Sequence, residues 1–347
     1  MKFVLAPLAG FTDAPFRRLC FEGGADLTYT EMVSAAGLAH GSSPTRHLME
    51  TMPGEGPVAV QIFGARESDI AYATDFINRT VAQTTNRTIV GINLNAGCPM
   101  TKVTREGAGA KLIENPELIY RLLKAMTENT SLPVTLKTRL GPHPKRTNVF
   151  EILEAAESAG ASGLVVHARY TSQMHGGPVH LDVLKEIVAR AKIPVTGNGS
   201  VVDAKTAADM AATGVDAIMI GRAALANPFI FSELKMNEVK ARGEGEQRNE
   251  KFLCRPSTST LFRAHLDYLL KFREQLAARF PQDRIPSPDG FASVKMHVHL
   301  FRYFNGRPGA AELRRRLNSV RSLSEIERLV AAFGTEGPQR TESSIMV

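Results

Sequence analysis

Residues 58–63 read Val58-Ala59-Val60-Gln61-Ile62-Phe63, a nearly unbroken apolar, β-branched run. A strand with one wet face alternates polar and apolar residues, so a run of this kind predicts a strand covered on both faces. Leu164-Val165-Val166 has the same character. Outward from these runs the chain repeats one unit: a short apolar run, a polar or glycine-containing turn, then a segment of helical period. The predicted strands are Phe3–Ala6, Leu27–Thr30, Val58–Phe63, Ile89–Asn95, Pro133–Thr138, Gly163–His167, Ile193–Gly197 and Asp216–Ile220. Helix patterns fall between them at Asp69–Val81, Pro116–Thr127 and Asp203–Thr213, the last with Asp203 as N-cap. Strands and helices alternating in this way match an α/β fold, the (β/α)8 TIM barrel, usually about 250 residues long. A doubly wound sheet is the competing arrangement, but the first turn, Ala6-Pro7-Leu8-Ala9-Gly10, lacks its glycine fingerprint.

Beyond residue 235 the pattern changes. Met236–Thr258 is charged, glycine-bearing and poor in apolar residues, which predicts a linker. Helical segments follow at Leu261–Phe280 and Phe291–Phe304, with one or two more across Ala310–Phe333. His297, Leu300, Phe301 and Phe304 share one helix face and read as core. The expected organisation is a catalytic barrel over 1–235, a linker over 236–258, a basic all-α C-terminal domain over 259–333 and a flexible tail over 334–347.

Charge follows that division. The chain carries 42 Lys and Arg against 35 Asp and Glu. Nearly all of the excess lies in 259–333, where thirteen basic residues face seven acidic ones. Such asymmetry suits a polyanion such as nucleic acid, although on charge alone a solvated helix face explains it equally well. Cys20, Cys98 and Cys254 are too scattered for a disulfide framework, and no CxxC spacing suggests zinc, so no metal is expected. No apolar run approaches the ~18 residues of a membrane span. Met1-Lys2-Phe3-Val4 leads directly into a strand, leaving no room for a targeting segment. A monomeric, cytoplasmic protein without membrane contact is expected.

In a barrel, function sits at the carboxyl ends of the strands. Here those ends are polar: Glu31 after the second, Gln61 in the third and Asn93-Leu94-Asn95-Ala96-Gly97-Cys98-Pro99 at the fourth. The series continues with Lys137-Thr138-Arg139, His167-Ala168-Arg169, Gly197-Asn198-Gly199-Ser200 and Gly221-Arg222. Any one has a bland explanation, but their convergence on one mouth predicts an active site. The seventh and eighth ends suit a phosphate, because glycines admit close backbone approach and Arg222 adds a cation. Spacing alone does not separate FMN from a sugar-phosphate substrate. Cys98 stands in a glycine–proline loop just past a buried strand and so faces the mouth. An ordinary thiol is protonated at neutral pH, and no histidine adjoins Cys98 in sequence, so it reads as a proton donor rather than a nucleophile.

These segments also resemble a known family. Ala6-Pro7-Leu8-Ala9-Gly10-Phe11-Thr12-Asp13-Ala14-Pro15-Phe16-Arg17, Asn95-Ala96-Gly97-Cys98-Pro99, Leu136-Lys137-Thr138-Arg139-Leu140-Gly141, His167-Ala168-Arg169, Asn198-Gly199 and Gly221-Arg222-Ala223-Ala224 with Pro228 are similar, in order and interval, to the tRNA-dihydrouridine synthases. The resemblance covers most of 3–235, and the basic helical tail resembles the family's tRNA-binding domain more loosely. It implies an FMN-dependent, NADPH-consuming reduction of the C5=C6 bond of uridine in tRNA. Cys98 would protonate C5, while Asn95, Lys137 and Arg139 would hold the uracil. Pro7, Leu8, Gln61, Lys137 and His167 would meet the flavin ring, and Asn198, Gly199, Gly221 and Arg222 its ribityl phosphate. Arg314, Arg315 and Arg316 are the tail residues expected on tRNA. The chain departs from the pattern at Leu8 (usually Met), Ala168 (Gly), Tyr170 (Thr) and Ser200 (an acid).

Two other functions compete. A free-pyrimidine flavoenzyme of the dihydroorotate or dihydropyrimidine dehydrogenase kind also uses a flavin barrel with a loop cysteine, but needs no basic helical appendage. A catalytically silent RNA-binding barrel would have no use for Cys98, Lys137, Arg139 and His167 together.

Overall fold

The computed structural model describes residues 1–83, 88–241, 255–305, 309–320 and 322–334. Its strands are β1 (Lys2–Leu5), β2 (Thr28–Tyr29), β3 (Val33–Ser34), β4 (Val58–Phe63), β5 (Ile89–Ala96), β6 (Val134–Arg139), β7 (Gly163–His167), β8 (Val195–Asn198) and β9 (Ala217–Ile220). They pair in the order β1-β9-β8-β7-β6-β5-β4-β2, with β3 also on β4, and every pairing is parallel. A parallel bridge between Val4 and Leu27 brings the two ends of this sheet together. The result is the expected (β/α)8 barrel, nearly closed, with a helical region after it.

The second strand differs from its expected form, because it comes in two pieces. Thr30 interrupts it: its Oγ1 donates to Glu31 O at 2.7 Å and accepts from Gln61 N at 3.0 Å. A side chain thus takes the place of a backbone acceptor, and the ladder resumes only at β3.

Period-two geometry sorts each strand into two faces. Phe3, Leu5, Val60, Ile62, Ile92, Leu94, Leu136, Leu164 and Val166 join the large core between strands and helices. The alternate positions Val4, Ala6, Tyr29, Ala59, Val165 and Met219 form a smaller cluster inside the cylinder. Gln61, Asn95, Lys137, Arg139, His167 and Asn198 continue that inner parity toward the carboxyl ends. Local signals set the helices as well. Asn115 Oδ1 caps Pro116–Thr127 through Leu118 N at 3.0 Å, and Asp203 Oδ1 caps Ala204–Ala211 through Thr206 N at 2.8 Å.

Helix Ile230–Ala241 runs six residues past 235, so the expected linker does not begin at Met236. Phe231 and Leu234 are buried in the barrel core and anchor its first turns, from which the polar residues continue. The next helix, Thr258–Arg279, starts at Ser257, whose Oγ accepts from Thr260 N at 3.2 Å. Residues 242–254, Cys254 among them, and 335–347 lie outside the described residues. Helices Pro288–Tyr303, Ala310–Leu317 and Leu323–Gly334 complete the helical region. Of the stripe read as core, Leu300 and Phe304 are buried, while His297 and Phe301 are half-buried.

The helical core includes Leu19 and Phe229 of the barrel part. Tyr268 OH donates to Glu22 Oε1 at 2.8 Å, Gln275 Nε2 to Thr51 O at 2.6 Å, and the Arg18 guanidinium lies 3.9 Å over the Tyr268 ring. No helix among the described residues is long and apolar enough to cross a membrane.

Candidate active site at the barrel mouth

Three amides and a hydroxyl cross the strands at mid-depth. Asn95 Nδ2 donates to Gln61 Oε1 at 2.8 Å, Gln61 Nε2 to Asn93 Oδ1 at 2.7 Å, and Asn93 Nδ2 to Thr135 Oγ1 at 2.7 Å. Gln61 and Asn93 are completely buried, so each bond satisfies groups that would otherwise be costly in the core. The ladder fixes Asn95, and Asn95 fixes the cysteine loop. Its Oδ1 accepts from both Gly97 N and Cys98 N at 3.0 Å. Arg139, itself buried, holds the loop from the other side through Nε to Gly97 O at 2.8 Å, while its Nη1 reaches Tyr170 O at 3.2 Å. Ala110 N donates to Cys98 O at 2.9 Å. Cys98 is therefore half-exposed on a pinned backbone, whereas Cys20 is buried and burial pushes its thiol up.

A group of cations lies beside the loop. Lys137 Nζ donates to Asn198 Oδ1 at 3.0 Å, and Asn198 Nδ2 donates to Met219 O at 2.9 Å. Burial, then the neighbouring Arg139, pushes Lys137 down to about 7, against the opposing effect of a charge on Cys98. Arg139 falls to about 10, chiefly through burial. Burial and then Lys137, Arg139 and Arg169 drive His167 far below its ordinary value, and Arg169 Nη1 approaches its Nε2 at 3.3 Å, so His167 is neutral and accepts there. Burial and then Arg222 lower Arg169. Among the described residues, the leading charges that shift these groups are other cations and Cys98.

The ends of β8 and β9 complete the mouth. Gly199 has a φ of +134°, a conformation that favours glycine, and a Cβ there would come within 3.2 Å of the His167 ring and 3.3 Å of Val179. Gly221 lies against Ala6 and Leu8, which brings the first and last strand ends together. Pro7 and Leu8 follow β1 on that side. Arg222 is exposed, with Nη2 donating to His175 O at 3.2 Å.

The barrel thus collects Gln61, Asn95, Cys98, Lys137, Arg139, His167, Asn198 and Gly199 in one connected set, with Leu8 and Gly221 adjoining at the β1–β9 seam. Arg314, Arg315 and Arg316 do not belong to it. They are exposed on Ala310–Leu317, where Arg314 Nη2 donates to Asn305 Oδ1 at 2.7 Å and Arg315 pairs with Glu312. Two residues without an individual role in the sequence-based expectation join the site. Arg169 donates through Nη2 to Ser200 Oγ at 2.6 Å and to Gly177 O at 2.9 Å, so Ser200 serves as an acceptor here. His175 stacks on His167, with ring centroids 6.3 Å apart. The strand-end position of Arg169 was its signal, whereas His175, in a loop, had none.

Comparison with known proteins agrees with this geometry. The family model described as "Dihydrouridine synthase (Dus)" matches residues 4–336. The chain is 37% identical over 235 residues to tRNA-dihydrouridine synthase B of Klebsiella pneumoniae, covering 67% of this chain and 71% of that one. It is 36% identical, with the same coverage, to the proteins of that name from Escherichia coli (strain K12) and Salmonella typhimurium. A parallel barrel with a loop cysteine and a cationic mouth is a class to which many enzymes could conform. Within it, the chain belongs to the dihydrouridine synthase family.

Proposed function

We propose that this protein is an oxidoreductase that reduces the C5=C6 bond of uridine in tRNA to 5,6-dihydrouridine, with FMN as cofactor and NADPH as electron donor. The observation that carries this reading is the set of Lys137, Arg139, Arg169 and Arg222 at one mouth, where, among the described residues, the leading charges acting on the group are other cations. Such a site takes an anion. The family match and the relatives' names support a tRNA uridine as substrate.

The donor set fits a flavin mononucleotide. Arg169, Arg222 and the backbone at Gly199 and Gly221 suit its phosphate, with Asn198 beside them. Lys137 and neutral His167 suit the polar edge of its ring, and Pro7, Leu8 and Gln61 suit its wall. When bound and reduced, FMN supplies the hydride that reaches C6 of the uracil.

The remaining work falls to the chain. The Cys98 thiol donates its proton to C5, and Lys137 and Arg139 face the negative charge left on sulfur. The same two cations stabilise enolate charge on the uracil carbonyl. Asn95 holds the loop, and its second Nδ2 hydrogen, now directed at the weak acceptor Met32 Sδ at 3.0 Å, suits a uracil oxygen. The uridine must leave its stack to enter the mouth, which costs least in a flexible RNA loop. Arg314, Arg315 and Arg316 supply phosphate contacts outside it. The test is purification followed by assay: a yellow protein whose NADPH oxidation is stimulated by unmodified tRNA, with dihydrouridine formed, is expected. A protein that retains no flavin, or forms no dihydrouridine, overturns the reading.

A further inference from the structure

Lys295, on helix Pro288–Tyr303, reaches into the barrel part. Its Nζ lies 3.2 Å from Asp13 Oδ2 and 3.7 Å from Glu31 Oε1, and both carboxylates are buried. Each carboxylate is tied into the barrel through its other oxygen. Asp13 Oδ1 accepts from Phe16 N at 3.2 Å, capping helix Ala14–Glu22, and Glu31 Oε2 accepts from Gly10 N. Gly10 turns the loop after β1 at a φ of +81°. Within that loop Leu8 N donates to Thr12 Oγ1 at 3.1 Å, Thr12 N to Leu8 O at 3.0 Å, and Arg17 Nη1 to Thr12 O at 2.8 Å. Pro7 and Leu8 thus sit on a small hydrogen-bonded ring, two of whose anchors are carboxylates that share one ammonium.

His265 and His299, both fully buried, lie near Asp13 and Lys295, with the Tyr303 hydroxyl bonded to His265 Nδ1 at 2.8 Å. Burial pushes His265 down to about 4 and His299 well below the usual histidine range, so both are neutral at physiological pH. With Lys295 in place, its ammonium is the cation that meets the two carboxylates. Phe11 meets the His299 ring edge-on at 5.6 Å, so the loop also packs on the same helix.

We infer that Lys295 is a positioning residue: through Asp13 and Glu31 it lets the C-terminal helices hold the loop that carries Pro7 and Leu8 at the barrel mouth. The unit proposed to grip RNA therefore also sets one wall of the proposed flavin pocket. Without Lys295, two buried carboxylates lose the cation they share, and Glu31 regains solvation by turning out toward water, which breaks its bond to Gly10 N.

The test is hydrogen exchange of the full chain carrying Lys295→Met or Lys295→Arg. Peptides covering residues 8–16 are expected to exchange about tenfold faster in K295M and within about twofold of wild type in K295R, because arginine restores the charge. If K295M does not fold, K295Q, which keeps N–H donors for the carboxylates, serves in its place. Unchanged exchange over 8–16 overturns the inference. A second readout rests on the proposed function: kcat with tRNA should fall about tenfold in K295M with little change in KM. A raised KM at unchanged kcat would make Lys295 an RNA contact and overturn the positioning role. If wild type forms no dihydrouridine, the functional reading fails, and the exchange result still decides the role of Lys295.

Discussion

Lys137 Nζ and Asn198 Oδ1 lie 3.0 Å apart, joining β6 to β8 across the intervening β7. The bond places an amine where burial and Arg139 push it down to about 7. An unfolded chain keeps that proton up to about pH 10.4. Between those values the unfolded state binds more protons than the folded one, so this group makes stability rise with pH. Lys137→Met removes that contribution. Whatever constant offset the lost bond adds, the variant should compare most favourably with wild type near pH 7 and lose that advantage toward about pH 10. Denaturant midpoints across the range check this, and a pH-independent difference would show that the amine titrates normally.

Cys98→Ala should leave the loop in place, because Asn95 and Arg139 hold its backbone rather than its sulfur. Bound flavin and tRNA affinity are expected to persist while turnover falls by ~10²–10⁴, the usual effect of removing one positioned acid. Single-turnover dihydrouridine formation measures it. Wild-type turnover by the alanine variant would end the proton-donor role.

Arg17 and Glu55 form a completely buried ion pair, and Arg17 Nη2 also donates to Glu50 O at 2.8 Å. Removing one partner of such a pair strands the other, so Arg17→Met should cost about 3–5 kcal/mol. Adding Glu55→Leu should recover part of the loss. Urea denaturation of the single and double variants tests this; a fully additive loss would mean the pair does not interact.

Charge reversal at Arg314, Arg315 and Arg316 should weaken tRNA binding while leaving the barrel mouth intact. Every phosphate that these arginines no longer neutralise should reduce the slope of log K against log salt by roughly 0.7–0.9. Titrations at about 50 and 200 mM salt give the slope, and an unchanged slope would remove these arginines from the RNA surface.

The barrel was legible because its strands are covered on both faces, so runs such as Val58–Phe63 carry a signal that needs no partner to be read. The division of the second strand was not, since it depends on the Thr30 hydroxyl meeting Gln61 N from another strand. Site residues at strand ends were legible for the same geometric reason: a TIM barrel aims them all at one mouth. Arg169 was visible in the sequence, but its partners Gly177 and Ser200 come from two separate loops. The Lys295 cluster left no trace, because Asp13 and Lys295 are far apart in the chain and only the docked helices bring them together. Helix Ile230–Ala241 outran its polar composition because Phe231 and Leu234 commit its first turns to the core.

The sharing of Leu19 and Phe229 between barrel and helical core bears on how the chain can be cut. A protease nick between Ala241 and Arg255 should leave two fragments that still elute together, held by apolar contact rather than by a peptide bond. A barrel expressed alone, ending at Ala241, would bare Leu19 and Phe229 to water and should clump or be degraded. The two parts are separate in sequence character yet should melt as one cooperative unit, a single transition in a thermal scan.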